Sequence, residues 1–174
     1  VLGLNPTGII EEFLPRQWSY NGRVVSENGE VTINSIENIK ALKNLYESCR
    51  YSPSESRNFM EDEQIKEFVK GDIAIISTFN LHAANIYDMQ FANMINNIGF
   101  SSIPGNVPMI GGWVLGINKY SKYPEESFRF IKWACSDKLS IHNTILGGFV
   151  PKNNVSNSNE LKAIYPWLEN INEY

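Results

Sequence analysis

The stretch GGWVLGINKYSKYPEESFRFIKW, residues 111–133, decides how the rest of the chain is read. Gly111 and Gly112 open an apolar run, Trp113 to Ile117, that predicts a strand. Pro124 stands where a first-turn proline belongs, because its fixed φ suits a helix start and no N–H is needed there. Glu125 and Glu126 place negative charge on the positive end of the helix dipole. Phe128, Ile131 and Trp133 then carry an apolar face towards Cys135. A strand followed by an amphipathic helix is the unit from which α/β folds are assembled.

Outward from this unit the alternation continues. On the C-terminal side, Asp137 to Leu146 predicts a helix that stops at Gly147-Gly148. An Asn/Ser loop, Asn153 to Asn159, and a last helix from Glu160, interrupted by Pro166, complete the chain. On the N-terminal side, Asp62 to Lys70 predicts a short amphipathic helix through Ile65, Phe68 and Val69, ended by Gly71. A buried strand, Ile73 to Phe79, follows it. Asn80 opens a helix over Leu81 to Ile95, and a strand over Ile98 to Ile103 runs into a Pro104-Gly105 turn. Asn34 or Ser35 caps a helix reaching Arg50, with Glu37 three residues past Asn34 as in a capping box and Ile39, Leu42, Tyr46 and Cys49 as its apolar face. Residues 1–33 carry turn chemistry, and a small hairpin is expected through Arg23–Val25 and Val31–Ile33. The class is α/β.

Composition excludes several roles. Of 174 residues, 43% are hydrophobic and 20% charged, which suits a packed core and not a disordered chain. Fifteen basic against nineteen acidic side chains give a net charge of −4, with no basic patch, so nucleic acid is not an expected partner. No apolar run approaches the roughly 20 residues that a membrane span requires. The start, Val-Leu-Gly-Leu-Asn-Pro, has neither an initiator Met nor a basic leader and reads as an excised piece. Cys49 and Cys135 fall within helical patterns, which favours buried thiols over a disulfide.

Common chemistries lack their residues. There is no GxxxxGK[ST] loop, and Gly147-Gly148 precedes Phe-Val-Pro instead of opening a helix, so no nucleotide cradle is expected. His82 and His142 stand apart without metal-ligand spacing, and neither metal nor cofactor is assigned. Glu11-Glu12 and Glu61-Asp62-Glu63 are adjacent acids of the kind that face water, and no GxSxG elbow occurs. What remains is aromatic and glycine chemistry at predicted strand ends: Gly111-Gly112-Trp113, Trp18-Ser19-Tyr20-Asn21-Gly22 and Phe79-Asn80. Ligands of α/β folds bind at strand ends. An aromatic face stacks on the C–H face of a sugar, Asn and Ser satisfy hydroxyls, and glycines permit close approach. The same aromatics also serve core packing.

These residues resemble, in order, the motifs of the extracellular solute-binding proteins of carbohydrate ABC importers, the maltose-binding-protein-like group. Trp18-Ser-Tyr-Asn-Gly, Gly29 and the helix from Ser35 resemble "W-x-x-G-G … D-G-K … S-x-E-x-x-x-A". Phe68-Val-Lys-Gly-Asp-Ile-Ala-Ile is similar to "F-x-x-G-K-A-A-M". Residues 111–133 resemble "G-G-x-x-L-G-I-x-K-x-S-K-x-P-E-x-A-x-x-F-I-K-W", and Gly147-Gly148-Phe-Val-Pro151 resembles "G-x-x-P". Where the family commonly places a Trp, near position 81, this chain has Leu81, with Phe79 two residues earlier.

The resemblance implies an incomplete two-lobed periplasmic-binding-protein-like fold of type II, with residues 1–112 mainly a second-lobe segment. Residues 113–150 would be a strand and helices returning toward the first lobe, and 151–174 the crossover back and the start of a C-terminal helical part. It implies a non-enzymatic, extracellular or periplasmic, lipid-anchored substrate-binding component whose anchor lies outside this piece. A mono- or oligosaccharide would be bound in an interlobe cleft and delivered to permease subunits. By carry-over Gly111, Gly112 and Trp113 line the cleft at a lobe crossover, Trp18 and Tyr20 lie at its rim, and Phe79 and Asn80 contribute from the next element. A glycoside hydrolase module and a solute-binding protein for a non-sugar ligand remain the alternatives. A truncated piece is also expected to self-associate, through Val114, Leu115, Phe128, Ile131 and Trp133, and to bind sugar weakly or not at all by itself.

Overall fold

The computed structural model describes residues 2–86, 97–112, 114–146, 152–165 and 168–169. The chain divides into two compact units, Val1–Phe79 with Ile86–Met109, and Asn80–Asn85 with Ile110–Tyr174.

The first unit begins with a helix that the turn-rich reading of residues 1–33 does not anticipate, α1 (Gly8–Ser19). Ile9, Ile10, Phe13 and Leu14 do share one face, but Pro15 lies inside the helix, Ile9 and Ile10 are exposed, and its buried residues are Gly8, Glu12 and Gln17. Asn5 starts the turn: its Oδ1 accepts from the N–H of Thr7 at 2.9 Å and of Gly8 at 2.7 Å. The cost of the interior proline is offset by packing, since α1 lies along α2 (Ile36–Ser48).

Helix α2 starts as its sequence predicts, with Ser35 Oγ accepting from the N–H of Asn38 at 3.4 Å. Ser35 and not Asn34 is the cap, so Glu37 is not the reciprocal partner of a capping box. Its carboxylate is instead held below the usual range by its own backbone N–H and the Ser35 hydroxyl. The buried face is also different from the expected one. Asn38, Ala41 and Leu45 face inward, while Ile39, Leu42 and Tyr46 are exposed, Tyr46 at 74%. Ala41, wholly buried, presents only a methyl group where the helices meet. Asn38 has partners only on the inward side: its Nδ2 donates to the carbonyls of Arg23 and Thr32, both at 2.8 Å.

Between these partners lies the remnant of the expected hairpin, a single antiparallel bridge from Val25 to Val31. The N–H of Ser26 donates to Glu30 O at 2.8 Å, and Gly29 turns the chain at φ 83°.

Helix α3 (Glu61–Val69) matches its prediction closely. Glu63 reaches back to the Met60 N–H at 3.0 Å, and Gly71, at φ 91°, ends the helix by donating its N–H to Phe68 O at 3.0 Å. Ile65 and Val69 bury with Ile86, and Phe68, Ile76, Ile98 and Phe100 pack around them. The segments expected as strands, 73–79 and 98–103, contribute to this cluster but are not assigned as strands. A strand exists through its neighbour's ladder, and among the described residues the Val25–Val31 bridge alone represents β pairing outside named strands.

The second unit carries short helices, with residues 110–112 and 114–123 irregular. A 3₁₀ turn, Asn80–His82, leads into α4 (Ala83–Ile86); the remainder of the helix expected to Ile95 lies outside the described residues. Helix α5 (Pro124–Ala134) carries its proline in the first turn, and α6 (Asp137–Ile145) is capped by Ser136 Oγ, which accepts from Leu139 N–H at 3.3 Å. Two short helices follow, α7 (Asn153–Ser156) and α8 (Asn159–Ile164), so part of the expected Asn/Ser loop is helical. Asp137 ties α6 to α7 through the Lys152 ammonium and the Asn154 amide, and Tyr165 Oη donates to Ile145 O at 2.7 Å.

Two expectations fail in this unit. The apolar run after Gly112 is not a buried strand: Val114 is 93% exposed. Cys135, the residue capping α5, is exposed, while Cys49 is half-buried with its Sγ donating to Leu45 O.

Candidate functional site

The first unit holds a pocket of about 90 Å³ where α1, the start of α3 and two non-helical segments meet. Gly8, Glu11, Glu12 and Pro15 line it from α1, and Met60, Glu61 and Gln64 from α3. Ser77, Thr78 and Phe79 form a second side, Ile103, Pro108 and Met109 a third, and Gly3 closes the base. The base is tight by necessity, because a Cβ on Gly8 would lie 2.8 Å from the Gly3 carbonyl oxygen.

Glu12, which the sequence reading sends to water, is buried. Its Oε2 meets Arg16 Nη1 at 2.9 Å, and its Oε1 accepts from the Gly3 N–H at 3.3 Å and Gln64 Nε2 at 3.4 Å. That carboxylate is a strut joining the N-terminal segment, α1 and α3. Glu11 is different: partial burial first, then its hydrogen-bonding contact with Glu61 and the charges of Glu61 and Glu12, push its carboxyl up to about 7. Among the described residues no Lys, Arg or His lines the pocket. Thr78 Oγ1 is shut off from solvent without a hydrogen-bond partner among the described residues.

Of the residues singled out from sequence, Phe79 lies on the pocket wall and is half-buried. Trp18 and Tyr20 stand together at the exposed end of α1 and are not among the lining residues. Their turn is rigidly held. Asn21 adopts φ 58°, the Gly22 N–H donates to Gln17 O at 2.7 Å, and a Cβ on Gly22 would lie 2.2 Å from Asn38 Oδ1. Asn80, half-buried, and Gly111 and Gly112, exposed, belong to the second unit, and Trp113 lies outside the described residues. Glu11, Glu61, Gln64 and Thr78 were not anticipated. The one signal in the sequence was the pairing Glu12 with Arg16 at helical spacing, legible only once residues 8–19 are known to be a helix.

A family model described as bacterial extracellular solute-binding protein matches residues 13–139. The chain belongs to that family. Among solved structures it is similar to "Maltose bound T. maritima MalE3", with 26% sequence identity and a TM-score of 0.79. The match covers 92% of this chain and 44% of that one, so the chain spans less than half of this relative's length. The fold is the type II periplasmic-binding-protein fold, in part.

Proposed function

We propose that the chain is part of the substrate-binding component of an ABC-type sugar importer, taking a mono- or oligosaccharide in an interlobe cleft and passing it to the permease without catalysis. The pocket beside Phe79 carries this reading. Apolar wall and hydrogen-bonding groups together suit a hydroxylated ring, and 90 Å³ is well under the roughly 300 to 1,000 Å³ of a complete ligand site, as one wall of a cleft would be. The maltose bound by the similar MalE3 protein supports the same class of ligand.

In this reading residues 1–112 are mainly second lobe, 113–150 return toward the first lobe and 151–174 cross back. Gly111, Gly112, Trp113, Asn80, Trp18 and Tyr20 are the further ligand-contact residues of this reading. A lipid anchor joining the protein to the membrane, in the family's extracellular setting, belongs to the same reading. Hydrolysis is disfavoured, because no acidic pair sits beside the aromatic cluster in sequence.

Thermal shift of the intact parent protein against a panel of sugars, maltose first, tests the proposal, since a ligand bound only by the folded state raises the melting midpoint. A shift with peptides, polyamines or metal ions and none with sugars reassigns the ligand. Turnover of a chromogenic glycoside would make the protein an enzyme.

A further inference from the structure

Two Asn-Gly steps, Asn21-Gly22 and Asn28-Gly29, carry a chemistry that the sugar reading does not touch. The backbone nitrogen of such a glycine can attack the side-chain Cγ of the asparagine, because glycine has no side chain in the way. The N–Cγ bond forms as the Cγ–Nδ2 bond breaks, the amide proton leaves with Nδ2 as ammonia, and a five-membered succinimide remains. Water then opens the ring at either carbonyl carbon, giving aspartate or isoaspartate. The attacking nitrogen must first give up its hydrogen bond and move towards its neighbour's side chain, so the fold around each glycine sets the rate.

The two asparagines are both exposed, and it is their glycines that differ. Gly22 is buried, and its N–H donates to Gln17 O at 2.7 Å. A Cβ there would lie 2.2 Å from Asn38 Oδ1 and 3.0 Å from Gln17 Cγ, so neighbours fill the space. Asn21 sits in the left-handed region at φ 58°, its N–H donating to Trp18 O at 2.9 Å. Freeing this step means unwinding the end of α1, where buried Gln17 and Asn38 are bonded to each other at 2.9 Å.

Gly29 is exposed, with nothing within 4 Å of an added Cβ. Its N–H donates to Ser26 O at 3.0 Å, and the turn is otherwise held by Ser26 N–H on Glu30 O at 2.8 Å and Glu30 N–H on Ser26 Oγ at 3.1 Å. Behind it the Val25–Val31 bridge joins two exposed valines. Water replaces such surface bonds at little cost, so this turn opens locally. Its base stays clamped, because Asn38 Nδ2 holds the Arg23 and Thr32 carbonyls.

We propose that Asn28 is a site of spontaneous modification in the folded protein, converted through a succinimide with Gly29 to aspartate and isoaspartate, whereas Asn21 is shielded by the buried Gly22. The product carboxylate joins exposed Glu27 and Glu30 and adds one negative charge to the turn. The change lies beyond the Asn38 clamp and is independent of what the pocket binds.

Peptide mapping of the full chain, after incubation at mildly alkaline pH, tests the proposal. Trypsin cuts after Arg16, Arg23 and Lys40, so Asn21 and Asn28 fall in separate peptides, 17–23 and 24–40. Digestion in mild acid keeps the reaction from continuing. Peptide 24–40 is expected to gain one mass unit, placed on Asn28 by fragmentation and divided between two chromatographic peaks for the aspartate and isoaspartate forms. Peptide 17–23 should react at least roughly tenfold more slowly, a ratio that about 1.4 kcal/mol of additional opening free energy supplies. In concentrated urea both steps should react at similar rates, which makes the fold the source of the difference. Equal rates at the two steps in the folded chain, or an Asn28 that stays unmodified while the urea-unfolded chain reacts, overturns the proposal.

Discussion

Asn38 Oδ1 accepts from Gln17 Nε2 at 2.9 Å, so two buried carboxamides join α1 to α2. The same Asn38 holds the carbonyls of Arg23 and Thr32, and its oxygen leaves no room for a side chain at Gly22. One residue thereby connects two helices and the turn that carries Trp18 and Tyr20. Asn38→Leu fills similar space but strands a buried amide and two carbonyls. The expected loss is about 3 kcal/mol in urea unfolding, since each buried polar group left unpaired costs about 1 to 3 kcal/mol. Unchanged stability would show that water replaces the network.

Two glycines with left-handed backbones separate backbone strain from collision. Gly29 has φ 83° with nothing within 4 Å of an added Cβ, whereas at Gly105, φ 89°, that Cβ would lie 2.6 Å from Ser19 Cβ. Gly29→Ala is expected to cost only the backbone penalty, about 1 to 2 kcal/mol. Gly105→Ala should cost more by paired denaturation curves, because the end of α1 must also move.

Ring removal tests the stacking surfaces. In the intact parent protein, Phe79→Ala is expected to weaken sugar binding by about 1 to 3 kcal/mol, in the range for losing an aromatic anchor, and Trp113→Ala by a similar amount. An unchanged dissociation constant in either variant rejects that residue as a platform.

Asp137 supplies a pH-dependent tie of the opposite sign to Glu11. Hydrogen bonds from Lys152 and Asn154, with the Lys152 charge, hold its carboxyl below the ordinary value. The stabilisation is present above that ordinary value and is lost as pH falls through the lowered one. Asp137→Asn should speed hydrogen exchange at the Val155 and Ser156 amides, both bonded to Lys152 O, near neutral pH. The difference from wild type should vanish in strong acid.

Helix α5 buries none of its residues; Phe128 and Trp133 are exposed, and the Phe130 and Trp133 rings lie tilted by 44° with centroids 5.6 Å apart. Covering a side chain of that size is worth about 1.5 to 3 kcal/mol, so the 174-residue chain is expected to associate as concentration rises. Light scattering during gel filtration should show this, and Phe128→Ser combined with Trp133→Ser should restore a monomer. A strictly monomeric wild type across a wide concentration range would refute association through this helix.

Local chemistry made α3, α5 and α6 legible. Gly71 ends α3, Pro124 opens α5 and Ser136 caps α6 within one turn of the helix concerned, and the order of motifs from Trp18 to Trp133 was sufficient for the family. Tertiary structure decided what no window of neighbouring residues contains. Helix α1 forms despite Pro15 because α2 supports it, and α2 buries Asn38 in preference to Ile39 because Gln17, Arg23 and Thr32 supply its partners. Glu11 and Glu61 line one pocket because segments fifty positions apart in the chain meet there. Caps and periodicity act over about 4 residues and can be read in order along a chain. Burial, strand pairing and pocket lining depend on which distant surface arrives, and that is settled only when the chain folds.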